Sequence, residues 1–480
     1  MATTISTATD PQLNSKLARM PLEILLRITY FIRTEDLANV RLSCKALERS
    51  VFNAFSYEFF RKKQFMVSTF SLQALIDIAR HPILSPVLKH VIICTDRLPA
   101  NHWAPHRDDE GQARFEEALA DHMHLLATGG LRDMLAEAFS HLPNLETVDI
   151  RDFHSPSRNR DGRGTPWTSY GSRKLFELTN CQPSPGSHRD RDPYVTELFC
   201  AATAALASSQ ARPKSVEVLI RSDFWRAWGL HDAAFYIPPR MEAPMAALLE
   251  NLKSLHLSLH VSRTRPLLFQ KFLSLAPHLT WLRLNFSATE LNDARHLFSW
   301  LALKDHEAAP SPIDRAPIPL QHLERLDLGS VDITPELLLA LIAKFAPTLT
   351  SLYLRRVCMV RTEAQLSKTN SWLGFLSALP NVAGSSLRVV DLSEPKLTST
   401  SGRLARGPVL FKTQDPARPL TRHWACSTRI LTLEKATAQA AEAMHVDWPA
   451  EPESMDEDES ENEEEEDEEG ESDQDANDDE

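Results

Sequence analysis

Apolar residues in this chain alternate between two spacings. The first is a short L-x-x-L-x-L pattern, clean at Leu252-Leu255-Leu257, Leu279-Leu282-Leu284, Leu323-Leu326-Leu328 and Leu349-Leu352-Leu354, and continued at Leu387-Val390-Leu392. Looser copies occur at Leu88-Val91-Ile93 and Leu145-Val148-Ile150, and again around Val216 in SVEVLI. Period-two apolar runs of this kind predict half-buried strands. The second spacing is helical. After Leu328, Thr334-Pro335-Glu336 combines a capping residue, a first-turn proline and an acid. Leu337, Leu338, Leu341, Ile342 and Phe345 then share one face, and Ala346-Pro347 ends the helix. Phe269, Phe272, Leu273 and Ala276-Pro277 repeat the arrangement earlier. Each unit reads as a strand with a returning helix, and neither buries its apolar side alone.

The spacings from Leu252 to Leu279 and from Leu323 to Leu349 are 27 and 26 residues. Both fall within the roughly 20–29 residues of a leucine-rich repeat, which this pattern resembles. The expected fold class is α/β: stacked units forming an irregular solenoid with strands on the concave side. The Asn or Cys usual after the strand is not consistently present, so the repeats are degenerate. An ordinary α/β domain with a parallel sheet remains the alternative, because the gaps from Leu88 to Leu145 and from Leu145 to Val216 are long for one repeat. In a solenoid, Lys253, Ser254, His256, Thr280, Trp281, Arg283, Glu324, Arg325, Asp327, Thr350, Ser351 and Tyr353 face the concave surface. Trp281, Arg283, Arg325 and Tyr353 are residue types enriched at interface hot spots. They are the expected target contacts.

Residues 17–52 carry a different pattern, LARMPLEILLRITYFIRTEDLANVRLSCKALERSVF. Pro21 suits a first helical turn. Leu22, Leu25, Leu26, Thr29 and Ile32 form one row at helical spacing, with Ile24 and Ile28 beside it. So wide an apolar face on so short a helix implies one partner inside the protein and one outside. Thr34 is placed to cap a second helix containing Leu37 and Val40. A third helix is expected from about Lys45 into Phe55, with Phe59-Phe60-Arg61-Lys62-Lys63 continuing it. Ordinary core helices would share this periodicity.

The ordered set Leu17, Met20-Pro21-Leu22-Glu23-Ile24-Leu25, Ile28, Ile32, Asp36-Leu37, Val40, Leu42, Cys44-Lys45 resembles the F-box, with Met20 where many F-boxes have Leu. The run through Ser56-Tyr57-Glu58-Phe59-Phe60 is similar to fungal F-box proteins. The resemblance implies a non-catalytic substrate receptor of an SCF-type cullin-RING ubiquitin ligase. It would dock the Skp adaptor, and through it cullin, by Pro21, Leu22, Ile24, Leu25, Ile28, Leu37, Val40, Leu42, Cys44 and Lys45, and hold a protein target on the repeats. The expected organisation is a flexible N-terminus (1–16), an F-box (17–65), a leucine-rich-repeat-like domain (66–445) with insertions at 151–195 and 305–319, and a disordered acidic tail (446–480).

The net charge of −13 hides two regions of opposite sign. Twenty of the 65 acidic residues lie in 451–480, which holds no Lys or Arg, leaving 45 acidic against 52 basic residues elsewhere. A tail with so little apolar content cannot offset its ordering entropy. It reads as a solubilising segment or as a ligand for basic proteins. The latter supplies a second function: a histone- or basic-protein-binding protein similar to the leucine-rich acidic nuclear phosphoproteins, although that family begins with repeats. No apolar run approaches membrane-spanning length, and MATTISTATDPQLNSK has no apolar core of a secretory signal. Six scattered cysteines without a Cys-x-x-Cys pair suit reduced thiols in the cytoplasm, the nucleus or both.

Candidate chemistry is sparse. There is no P-loop, nucleophile elbow or His-Glu-x-x-His, and no cofactor is expected. His122 and His124, two apart on a helix, diverge, so no metal site is expected there. Residues 151–195 mix Arg151, Arg158, Arg160, Arg163, Arg173, Lys174, Arg189 and Arg191 with Trp167 and Tyr170. Asp152, Asp161, Asp190 and Asp192 partly cancel that charge. The stretch reads as a solvated insertion with a role in target binding. Residues 401–422 read as irregular.

Overall fold

The computed structural model describes residues 16–99, 109–155, 159–162, 168–184, 194–221, 229–260, 266–286, 294–304, 315–361, 370–399, 407–413, 415, 417–429 and 431–446. Residues 1–15 of the expected flexible N-terminus, 447–480 of the expected acidic tail, 305–314 of the second insertion, and Arg158, Arg163, Trp167, Arg189 and Arg191 of the first lie outside them.

Three helices come first: α1 (Leu22–Phe31), α2 (Thr34–Ser43) and α3 (Lys45–Phe60). Strands and helices then alternate. The order is β1 (Lys62–Phe65), α4 (Thr69–Arg80), β2 (His90–Cys94), α5 (Asp109–Ala127), α6 (Gly130–Ser140), β3 (Thr147–Arg151), α7 (Ser172–Thr179), α8 (Tyr194–Ser209) and β4 (Ser215–Leu219). Next come α9 (Glu242–Glu250), β5 (Ser254–Leu259), α10 (Leu267–Ser274), β6 (Trp281–Phe286), α11 (Arg295–Ala302), β7 (Arg325–Gly329), β8 (Asp332–Ile333) and α12 (Pro335–Phe345). The chain continues through β9 (Ser351–Arg355), β10 (Cys358–Arg361), α13 (Ser371–Ala378), β11 (Val389–Ser393), β12 (Lys396–Ser399), β13 (Gly407–Lys412) and β14 (Leu420–Thr421). It closes with β15 (His423–Ser427), α14 (Leu433–Ala443) and β16 (Met444–Val446).

The fold is mixed α/β with one large, mostly parallel sheet. Its order, β1-β2-β3-β4-β5-β6-β7-β9-β11-β15, follows the chain without reversal. Neighbours from β1 to β11 pair in parallel, and β15 closes that edge antiparallel to β11. The apolar spacing sets this register. Val91, Val148, Val216, Leu255, Leu282, Leu326, Leu352 and Val390 align across the sheet; Ile93 aligns with Ile150 and Val218, and Leu257 with Leu284, Leu328, Leu354 and Leu392. Both rows are buried and join the helix side chains in a single cluster. The helices pack in succession, α4 on α6, α6 on α8, α8 on α9, α11 on α12, α12 on α13 and α13 on α14.

The last units repeat in detail. Ser330, Arg356 and Glu394, each just past its strand, have φ of 53°, 54° and 52°. Ser330 donates its N–H to the Arg355 carbonyl at 2.8 Å, and Arg356 to that of Ser393 at 2.7 Å. This left-handed step turns the chain into β8, β10 and β12, which belong to a second sheet of order β14-β13-β12-β10-β8, with β16 beside β13. Thr334 caps α12 as expected, accepting from the Leu337 N–H at 3.3 Å.

Three expectations change. Residues 62–65, read as a continuation of the N-terminal helices, form β1 of the large sheet. Residues 401–422, read as irregular, contribute β13 and β14. The 151–195 stretch is not wholly a solvated insertion: Arg151 is the buried last residue of β3, α7 lies inside the stretch, and Tyr170 pairs with β1, donating to Gln64 O at 2.8 Å.

Candidate protein-binding surfaces

The three N-terminal helices have a small core of their own, built from Leu25, Leu47 and Val51 with Leu17, Ala18, Val40 and Cys44 around them. Cys44 caps α3, its Sγ accepting from the Leu47 N–H at 3.5 Å. Arg41 forks onto Glu48 at 2.9 and 2.7 Å and lies 3.5 Å from the centre of the Phe55 ring.

That packing divides the expected adaptor contacts. Leu25 and Leu37 are 2% and 3% exposed, so neither is available to a partner. Val40 and Cys44 are half-buried. Leu22, Ile24, Ile28 and Leu42 are 48%, 48%, 39% and 84% exposed, and Pro21 and Lys45 are also on the surface. Ile24, Ile28 and Phe31 recur at i, i+4 and i+7, giving α1 an outward apolar stripe beside the buried Leu25. Met20 and Tyr30 are exposed as well. Singly exposed apolar residues are ordinary; seven large ones within some two dozen residues make this segment a candidate contact surface.

Thr34 is not the cap of α2 but its first residue. Arg33 stands at the cap position without a capping side chain. The cap comes from Asp161, in a single 3-10 turn (Asn159–Asp161), which accepts from the Thr34 N–H at 2.8 Å and its hydroxyl at 2.6 Å. Its neighbour Arg160 donates to the Thr29 and Ile32 carbonyls at the end of α1, at 2.8 and 3.2 Å, and pairs with Glu58 at 2.5 Å. The Arg160 side chain is 6% exposed. Two adjacent residues thus satisfy the end of one helix and the start of the next. No local signal marks this role, because their partners lie more than a hundred residues away.

The other surface is the polar side of the large sheet. Trp281, Arg283, Arg325 and Tyr353 come together there on β6, β7 and β9, with Trp281 opposite Arg325, and Arg283 and Tyr353 flanking Asp327. The Arg325 guanidinium lies 4.0 Å from the Trp281 ring centre and 3.9 Å from that of Tyr353, and it forks onto Asp327 at 2.7 and 2.9 Å. Two rings and a carboxylate thus surround it. The His256 ring meets Trp281 edge-on at 4.2 Å. Burial lowers Arg283's affinity for its proton, nearby Arg355 and Arg325 lower it further, and Asp327 opposes them.

Toward β1 the same side becomes a charged lattice. Asp149, fully buried, receives Arg151 and lies 3.3 Å from His90 Nε2. Burial, with Lys62 and Arg151 nearby, pushes His90 down to about 3. Burial alone would raise Glu217, but the His256 imidazole 3.6 Å away, His90 and the Ser215 hydroxyl hold it at about 2. His122 is buried, with Nδ1 3.1 Å from the Val67 carbonyl, and His124 is exposed, so the two diverge as expected. All six cysteines are free. Burial pushes the Cys94 thiol up to about 12, the opposite of an activated nucleophile.

No protein-family model matches the chain, and a search of curated proteins finds no match. Among the described residues, no helix is long and apolar enough to cross a membrane.

Proposed function

We propose that this chain is a non-catalytic substrate receptor of an SCF-type cullin-RING ubiquitin ligase, working in the cytoplasm, the nucleus or both. Residues 17–60 dock the Skp adaptor as an F-box, and the repeats hold a protein target. The observation that carries this reading is the outward stripe of Ile24, Ile28 and Phe31, with Leu22 and Leu42, beside a separate internal core. Covering one such side chain contributes about 1.5–3 kcal/mol before the costs of association.

The sheet supports the target-binding half. Its strands follow the chain without the reversal of a doubly wound enzyme, whose crevice sits at that reversal. Unit-by-unit stacking with a repeated left-handed step favours a degenerate leucine-rich-repeat array. The mechanism is proximity: a bound target's lysines are held at high effective concentration near the ubiquitin thioester. Co-purification of wild-type chain with the Skp adaptor and cullin tests the docking half. A chain that captures neither would overturn it.

The acidic run of 451–480 favours a second reading, a binder of histones or other basic proteins. Deleting 451–480 separates the two. A histone binder loses its ligand, whereas a receptor keeps its adaptor.

A further inference from the structure

We propose that Cys94, Asp96 and His154 form a zinc-binding site at the exits of β2 and β3. Their ligand atoms, one thiol sulfur, one carboxylate oxygen and one imidazole nitrogen, all lie within 4.8 Å of one another. His154 Nε2 is 3.3 Å from Asp96 Oδ2, and the Cys94 sulfur accepts from the Asp96 N–H at 3.4 Å. The three come from adjacent parallel strands. Cys94 pairs with Arg151 in the sheet, Thr95 N–H bonds the Arg151 carbonyl at 3.0 Å, and His154 follows three residues later. The backbone therefore fixes both arms of the site.

Burial separates this cluster from an ordinary surface trio. Cys94 is completely buried, Asp96 is 3% exposed, and only the imidazole reaches solvent. A divalent cation bound here would displace the thiol and carboxyl protons and be held by both groups. A thiolate, an imidazole and a carboxylate together suit zinc better than calcium or magnesium, which prefer oxygen alone.

The surroundings supply a second, independent observation. Gln64, 2% exposed, lies against both ends of the cluster: its amide nitrogen is 3.4 Å from His154 Nδ1, and its side chain approaches the Cys94 thiol. Its Oε1 has no hydrogen-bond partner. The same amide nitrogen donates to the Phe153 carbonyl at 3.3 Å, which holds the side chain beside the imidazole. Outer hydrogen bonds of this kind fix metal-binding histidines. Ser169, also buried, sets its hydroxyl against the Cys94 thiol. Asp96 and His154 are 58 positions apart in the sequence, so no ligand spacing reveals the site.

Cobalt substitution of the metal-stripped full chain tests this. Tetrahedral cobalt held by a thiolate gives a near-ultraviolet charge-transfer band that exposed histidines cannot produce. The wild type should show that band in equimolar cobalt and lose it on adding zinc. Cys94→Ser should abolish it, and Cys358→Ser, altered at a buried thiol elsewhere, should keep it. His154→Ala, at a half-buried position, should bind zinc about 10–100-fold more weakly while still melting cooperatively. This second variant carries the test if Cys94→Ser unfolds. Absence of the band in folded wild type, its survival in Cys94→Ser, or unchanged zinc affinity in His154→Ala would overturn the proposal.

Discussion

The carboxylate of Asp161 caps the helix that begins at Thr34, accepting from both its backbone N–H and its hydroxyl at 2.8 and 2.6 Å. A residue 127 positions downstream thereby fastens the N-terminal helices to the sheet domain, and Arg160 beside it closes the preceding helix. Asp161→Ala should cost about 0.5–2 kcal/mol, as loss of a helix cap does. Hydrogen exchange should accelerate in 34–43 and leave β5 to β9 unchanged. Exchange spread evenly over the chain would mean that the contact does not tie the two parts together.

The Arg325 stack makes a prediction about chemistry rather than charge. A planar guanidinium fills the space between Trp281 and Tyr353 and forks onto Asp327. Lysine keeps the charge but not the plane. Arg325→Lys should therefore lower urea stability nearly as much as Arg325→Met. A double-mutant cycle of Arg325→Met with Trp281→Leu should give a coupling of about 0.5–2 kcal/mol. Additive losses would show that the stack contributes nothing of its own.

Acid should weaken the fold over two overlapping pH ranges. Stability rises with pH wherever the unfolded chain binds more protons. His90 is held at about 3 against an ordinary 6.5, so its contribution is complete above about 6.5 and is lost as pH falls toward 3. Glu217, at about 2 against 4.5, contributes fully above about 4.5 and loses that as pH falls through 2. Between pH 6.5 and 4.5 only the first of these two acts. His90→Gln should flatten urea stability there, removing up to about 1.4 kcal/mol per pH unit. An unchanged slope would mean that His90 takes up its proton beside Asp149 within the fold.

Much of this architecture was legible because burial enforces it. The apolar residues at i+3 and i+5 had to share one side of a strand, with the one at i buried just before it, so each such run became a strand of the large sheet, even across the long gaps before Leu145 and Val216. Trp281, Arg283, Arg325 and Tyr353 followed from the same alternation. The second sheet was not legible. Asp332–Ile333, Cys358–Arg361 and Lys396–Ser399 are too short to alternate, and pairing between units defines them. Nor could periodicity divide the wide face of the first helix. Packing by Leu47 and Val51 takes Leu25 inward and leaves Ile24 and Ile28 outside. The roles of Asp161 and His154 depend on contacts across long sequence separations, which residue spacing does not encode.

Calorimetric titration of the full chain with purified Skp adaptor tests the central claim most directly, comparing wild type, Ile24→Lys/Ile28→Lys and Leu25→Ala. The double surface variant should melt like wild type and bind more than about 100-fold more weakly, since two buried side chains at about 1.5–3 kcal/mol each are lost. Leu25→Ala should instead lower stability by about 2–5 kcal/mol through the cavity it leaves. No binding by folded wild type, to adaptor shown to bind an established F-box protein, would contradict the account. So would a surface variant that binds as tightly as wild type.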